Sequence, residues 1–240
     1  MVQWLKSRGI AVHPLVHNQF DPELTSRFLS DTKAQEKFIA ALVERSAALG
    51  VQGINVDFEG MKGSDRDKFT AFMKKLAAKA RQQGLTVSID LPRGSVAWNH
   101  LTAYDHRQLK DIVDYIIIMA YDQYYSGSPE AGSVSGLPWT EQGIQEFLAY
   151  GIPRGKMILG IPFYVRVWQL DANGKPIGNR SMTAENAEQL LAEKQVKKTW
   201  DKEFQQYRVE YEEDGNTYVF WLEDNKTLEA RLKLAKKYRL

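Results

Sequence analysis

Gly53-Ile54-Asn55-Val56-Asp57-Phe58-Glu59 alternates apolar and polar side chains without a break. Successive side chains of a β-strand point to opposite faces. Ile54, Val56 and Phe58 therefore share one face, and Asn55, Asp57 and Glu59 share the other. The polar face carries an amide and two carboxyls, with neighbours about 7 Å apart along the backbone. A solvated strand face shows the same alternation. Here the opposite face is wholly apolar, and Gly53 and Gly60 bracket the run, which favours a groove. Carboxyls this close in a half-buried groove raise each other's pKa, so one can stay protonated as a general acid.

Helix and strand patterns alternate on either side of this strand. A short apolar strand over Ile10–Val16 comes first, opened by Gly9. Phe38, Ile39, Leu42 and Val43 form one stripe of a helix over Thr32–Leu49, ended by Gly50. A second helix is expected from Ser64, as its N-cap, to Gln83, with Phe69, Phe72, Met73, Leu76 and Ala80 on its stripe. Leu85–Leu91 is a strand with Thr86, Ser88 and Asp90 on one face. Asp90 either points into the interior or finishes the strand. A short helix near Asp105–Val113 leads into Asp114–Asp122, an apolar run that implies burial on both faces, as in a parallel sheet. A loop over Gln123–Leu137, a helix over Trp139–Tyr150 and a strand over Met157–Tyr164 complete the series.

Short connections between alternating strands and helices give parallel βαβ units. Five strands in unbroken rhythm favour an α/β barrel over a doubly wound sheet. No Gly-x-Gly-x-x-Gly follows any strand, which argues against dinucleotide binding. The rhythm breaks after Tyr164. Residues 167–224 hold a turn at Asn173-Gly174, a helix near Thr183–Glu193 and a hairpin of Gln206–Glu212 with Thr217–Leu222. This segment reads as a small α+β insertion. The last helix is expected over Asn225–Tyr238, and Asn225-Lys226-Thr227 is its start rather than a glycan site.

The 240 residues allow one large domain or two small ones. A net charge of +2 with dispersed Lys and Arg leaves no nucleic-acid footprint. The one basic cluster, from Arg231 to Arg239, complements the dipole at a helix end. The absence of Cys rules out disulfides and thiolate metal sites. His13 and His17 share a strand face without a third ligand, so no metal site is expected. No apolar run is long enough to span a bilayer.

In barrels of this kind, catalytic groups stand at the C-terminal ends of strands. Three strand ends carry polar groups: Asp57 with Glu59, Met119-Ala120-Tyr121-Asp122, and Tyr164 followed by Arg166. With these motifs the chain resembles the family 18 glycoside hydrolases. Gln52-Gly53-Ile54-Asn55-Val56-Asp57-Phe58-Glu59 is similar to that family's Asp-x-x-Asp-x-Asp-x-Glu strand, with Gln52 and Asn55 at the first two Asp positions. Met119-Ala120-Tyr121-Asp122 matches Met-x-Tyr-Asp. Gly160-Ile161-Pro162-Phe163-Tyr164-Val165-Arg166 matches Gly-x-Pro-x-Tyr-x-Arg. Within the family the chain looks most like bacterial spore-germination and cell-wall N-acetylglucosaminidases.

The resemblance implies a (β/α)8 TIM barrel, incomplete here, with its first two and last strands lying outside residues 1–240. The barrel would comprise 1–166 and 225–240, with 167–224 as the insertion. It implies a retaining hydrolase acting on an N-acetylglucosamine polysaccharide in peptidoglycan or chitin, outside the cell at the wall or spore. No cofactor, metal, nucleic acid or membrane span is implied. Glu59 would be the general acid, Asp57 would support the substrate's acetamide, and Tyr121 would orient it. Asn55, Met119, Asp122, Trp139, Tyr164 and Arg166 would contact the sugar. With Asn55 in place of an Asp, an amide is expected to donate to Asp57, which would then ionise more readily. The alternative readings are a glycan-binding module without catalysis and an inactive barrel fragment.

Overall fold

A computed structural model describes residues 1–194 and 196–240. In chain order its helices and strands are α1 (Val2–Lys6), β1 (Leu15–His17), α2 (Pro22–Ser30), α3 (Thr32–Leu49), β2 (Gly53–Asp57), α4 (Arg66–Arg81), β3 (Thr86–Pro92), α5 (His106–Ile112) and β4 (Tyr115–Met119). Then come α6 (Leu137–Ala149), β5 (Met157–Leu159), β6 (Tyr164–Leu170), β7 (Pro176–Thr183), α7 (Ala184–Lys194), β8 (Lys198–Asp201), β9 (Gln206–Glu213), β10 (Asn216–Trp221) and α8 (Asn225–Tyr238). By compactness the chain divides into two units, Met1–Ile118 with Glu146–Ile158, and Met119–Gln145 with Leu159–Leu240.

The first unit is built on a five-stranded sheet in the order β1-β2-β3-β4-β5. β2 runs parallel to both its neighbours, with Asn55 beside Leu15 on one side and Ser88 on the other. The apolar face of β2 is the buried one: Ile54, Val56 and Phe58 lie in the core. Phe58 stacks on Phe69 and Phe72 of α4, with ring centroids 5.9 and 5.8 Å apart. The stripe on α4 is fully buried at Phe69, Phe72, Met73 and Leu76. Asp21 and Asp31 start α2 and α3 by accepting the N–H of Leu24 and of Ala34. Such acceptors satisfy donors that a helix's first turn leaves unpaired. α3 stops at Gly50, whose φ of 63° is left-handed and costs glycine little.

Every strand of this sheet except β3 is shorter than its alternation or apolarity suggested. The expected Ile10–Val16 strand is reduced to Leu15–His17, and Asp114–Asp122 to Tyr115–Met119. β2 stops at Asp57, so Phe58 and Glu59 lie beyond the ladder. The run expected over Met157–Tyr164 ends at Leu159. Pro14 and Pro162 stand in two of these runs and have no N–H to offer a ladder. Side-chain pattern records burial, whereas a strand also needs a neighbour at the right register. Ser64 does not cap α4. A short 3-10 turn over Gly63–Asp65 precedes the helix, and Asp65 stands at the cap position. The Asp65 carboxylate accepts a short hydrogen bond from the Ser26 hydroxyl.

The second unit holds an antiparallel sheet in the order β7-β6-β10-β9-β8. The expected hairpin is β9–β10, turning at Asp214 and Gly215 with φ of 50° and 75°. Two left-handed residues in a row make the turn whose twist suits a hairpin. β7 was not expected; its residues Gly178, Asn179, Arg180 and Ser181 carry no apolar alternation. α8 spans the expected residues. Asp224 caps it, and Thr227 bonds back in a reciprocal box. Arg231 departs from the expected role at a helix end. It is 1% exposed and donates to Glu223 at 2.6 Å, to the Ser135 carbonyl at 2.6 Å and to Thr140 at 2.9 Å.

Candidate active site

In the first unit the polar face of β2 meets β3. Pairing of Asn55 with Ser88 sets the Asn55 amide against two side chains of β3. Its Nδ2 donates to Asp90 Oδ2 at 2.9 Å, and its Oδ1 accepts from Ser88 Oγ at 2.7 Å. The expected bond from Asn55 to Asp57 is therefore absent. Neighbouring strands lie closer than same-face residues along one strand, so the amide reaches sideways. The easier ionisation expected of Asp57 on that account has no such bond behind it. Burial raises the Asp57 carboxyl above its ordinary pKa, against a smaller opposing pull from His17.

Asp90 is the residue that the sequence left open. Burial pushes its carboxyl up to about 6, with the Asn55 hydrogen bond acting the other way and the charge of Asp57 adding to the rise. One oxygen of each carboxyl, Oδ1 of Asp57 and Oδ1 of Asp90, is buried without a hydrogen-bond partner among the described residues. A buried carboxylate oxygen left unpaired favours the protonated form. Burial thus biases both carboxyls of this corner toward the protonated form.

Glu59 is half-buried and stands two residues past the end of β2. Its N–H donates to Asn18 Oδ1 at 2.9 Å, and its carbonyl accepts from Asn18 Nδ2 at 2.7 Å. The Phe58 carbonyl accepts from the Tyr104 hydroxyl at 2.8 Å. Burial, then the charges of Glu59 and Asp57, push the Tyr104 phenol far above its usual range. Gly60 turns the chain away with a φ of 66°, a conformation open to glycine.

The other expected site residues belong to the second unit. Met119 is buried and is the last residue of β4. Tyr121 and Tyr164 pack edge to face with centroids 6.5 Å apart. The Tyr164 hydroxyl donates to Asp122 Oδ1 at 2.6 Å. Burial and that carboxylate push the Tyr164 phenol far above its ordinary value. Asp122 has a left-handed φ of 57°. Tyr164 does not close a strand of the parallel sheet but opens β6. Arg166, two residues along the same face, donates to Asn179 at 2.7 Å, and its Nε is buried without a hydrogen-bond partner among the described residues. Trp139 is half-buried in the first turn of α6.

Asn18, Ser88, Tyr104 and Asn179 were not singled out from the sequence. Thr86, Ser88 and Asp90 did share a face, but only the register with β2 shows what they meet. A lone Asn after a strand carries no signal, because its partner is 41 residues away. Among the described residues, no three His, Cys, Asp or Glu side chains cluster as metal ligands. None of the described helices is long and apolar enough to cross a membrane.

The parallel sheet of strands joined by helices defines an α/β domain. The profile of the glycosyl hydrolases family 18 matches residues 17–240, and the chain belongs to that family. Its fold is of the TIM-barrel α/β type. The cortical fragment-lytic enzyme of Bacillus subtilis is 26% identical over 235 residues, covering 94% of this chain and 53% of that protein. The crystal structure of the Bacillus cereus spore cortex-lytic enzyme aligns with a TM-score of 0.88 at 23% identity, over 100% of this chain and 56% of that one. A plant class V chitinase mutant from Cycas revoluta, solved with (GlcNAc)3, aligns with a TM-score of 0.80 at 22% identity, over 95% of this chain and 74% of that one. The chain spans about half the length of the curated relatives it matches.

Proposed function

We propose that this chain is the catalytic region of a retaining hydrolase that cuts β-linked N-acetylglucosamine in peptidoglycan or chitin. The observation that carries the reading is Asp57 at the end of β2, its carboxyl lifted by burial, with half-buried Glu59 two residues further on. Glu59 protonates the glycosidic oxygen. The substrate's own acetamide oxygen attacks the anomeric carbon and forms a cyclic intermediate, the substrate-assisted route known for this family. Asp57 holds the acetamide N–H and offsets its developing positive charge. Before the step Asp57 and Glu59 share a proton. The motif match assigns orientation of the acetamide to Tyr121, and sugar contacts to Asn55, Met119, Asp122, Trp139, Tyr164 and Arg166. It also makes 167–224 an insertion in the barrel.

A cortex-lytic relative and a chitinase relative solved with (GlcNAc)3 support a wall or chitin glycan as substrate and an extracellular, spore- or wall-associated setting. The test is turnover of a chromogenic N-acetylglucosamine oligomer by the parent chain and by Glu59→Gln. Loss of a general acid costs roughly 100-fold or more. Near-normal turnover in Glu59→Gln would exclude Glu59 as the acid. Glycan binding without turnover in the parent would instead favour a binding module. Cleavage of glucose oligomers at a comparable rate would exclude participation by the acetamide.

A further inference from the structure

The reading of Glu59 as general acid raises a question of placement. A proton donor works only if its carboxyl is aimed at the leaving oxygen. Glu59 lies beyond the ladder of β2, where the pairing with β1 ends at Asp57 and that with β3 at Val56. There one side chain fixes its backbone. The planar amide of Asn18 takes the N–H of Glu59 on its oxygen and gives a hydrogen to the carbonyl of the same residue. This two-point bond brackets the Cα of Glu59 and restrains both rotations about it. It does what a partner residue does in a β-ladder.

The amide is itself held in place. Asn18 directly follows β1, whose pairing brings His17 beside Asp57. The second hydrogen on Nδ2 goes to Thr25 Oγ1 at 2.9 Å, and that hydroxyl donates to the Asp21 carbonyl at 2.6 Å. The orientation of the amide follows from its partners, since the oxygen faces an N–H and the nitrogen faces a carbonyl and a hydroxyl oxygen. From the other side, the Tyr104 hydroxyl holds the Phe58 carbonyl. The peptide between Phe58 and Glu59 is thus tied at both ends.

We infer that Asn18 is a positioning residue for the general acid, setting the direction of the Glu59 side chain through its backbone. This rests on the catalytic reading above and goes beyond the motif match, since Asn18 lies outside all three motifs. A purely structural Asn would weaken every reaction of the enzyme alike. A residue that aims a proton donor weakens only reactions that need the proton.

The test is kcat/KM on two aryl glycosides of an N-acetylglucosamine dimer. The dinitrophenyl glycoside has a leaving group that departs as an anion, and the phenyl glycoside has one that must be protonated. Asn18→Ala should lower the phenyl value by about 10- to 100-fold, within the range of general-acid catalysis, and the dinitrophenyl value by less than about threefold. Asn18→Asp keeps the acceptor for the Glu59 N–H but sets an oxygen against its carbonyl, and should show the same selectivity. Equal losses on both substrates would overturn the inference. Failure of both variants to fold would do so too, because Asn18 would then hold the fold rather than the acid. Glu59→Gln separates the two readings. If it shows the selective loss and the Asn18 variants do not, only the inference falls. If Glu59→Gln shows no selectivity, the general-acid reading falls first.

Discussion

Asp90→Asn should stabilise the protein at neutral pH and do little for it in acid. The carboxyl of Asp90 is pushed from an ordinary 3.8 up to about 6 by burial. The folded state therefore holds a proton that the unfolded state releases between those values. Stability from this group is fully present below the ordinary pKa and is lost as pH rises through the folded one. The interval corresponds to about 3 kcal/mol for a carboxyl cut off from water. Asp90 is only half-buried, and solvent screening reduces this to about 1–2 kcal/mol. Asparagine removes the charge, and its carbonyl still accepts from Asn55. The variant should gain about 1–2 kcal/mol over the parent near pH 8 relative to its difference near pH 4, or roughly 2–8 °C in Tm for a chain of this size. Urea unfolding followed by circular dichroism at both pH values measures the difference. Equal shifts at the two pH values would refute the reasoning, because Asp90 would then ionise as it does in water.

Three further outcomes follow from packing. Arg231→Ala leaves Glu223 buried and uncompensated and should cost about 3–5 kcal/mol. The double variant Arg231→Met with Glu223→Leu should recover much of that loss in a denaturation series; no recovery would show that the ion pair is not the cause. Tyr104→Phe strips the Phe58 carbonyl of its donor and should cost about 1–3 kcal/mol in a urea melt. An unchanged midpoint would mean that water replaces the hydroxyl. Gly63→Ala places a Cβ 2.1 Å from the Leu101 carbonyl oxygen, so backbone must move, whereas Gly155→Ala meets nothing within 4 Å. The first should lower Tm by several degrees, at about 2–4 °C per kcal/mol, and the second should not; similar melts for both would contradict the crowding.

The buried apolar face of β2 and the helix α4 that packs on it were legible in the sequence. Alternation over Gly53–Glu59 and the stripe on α4 are local, since side-chain direction repeats every two residues in a strand and about every 3.6 in a helix. The stop at Gly50 and the Asp214-Gly215 turn were legible for the same reason, since each acts within a few residues of itself, whereas the cap expected at Ser64 was not found. The ends of strands were not. A strand lasts only as long as its neighbour offers backbone groups, and β2 stops at Asp57 although its side-chain pattern runs on to Glu59. Tyr164 looked like the end of one strand and is the start of another, past Pro162.

The motifs named Asp57 and Glu59, but not what governs them. Asn18 reaches Glu59, Tyr104 reaches the Phe58 carbonyl, and Ser88 and Asp90 reach Asn55, across 33 to 46 residues of chain. Those contacts depend on the register of β1, β2 and β3, and register is not carried by any one strand. The sequence by itself determined which side chains alternate along β2 and that two carboxyls stand two residues apart at its end. The tertiary structure decided where the Asn55 amide points, which buried carboxyl oxygens lack a partner among the described residues, and what holds the Glu59 backbone where the ladder ends, because each of these depends on a neighbour supplied by another strand or loop.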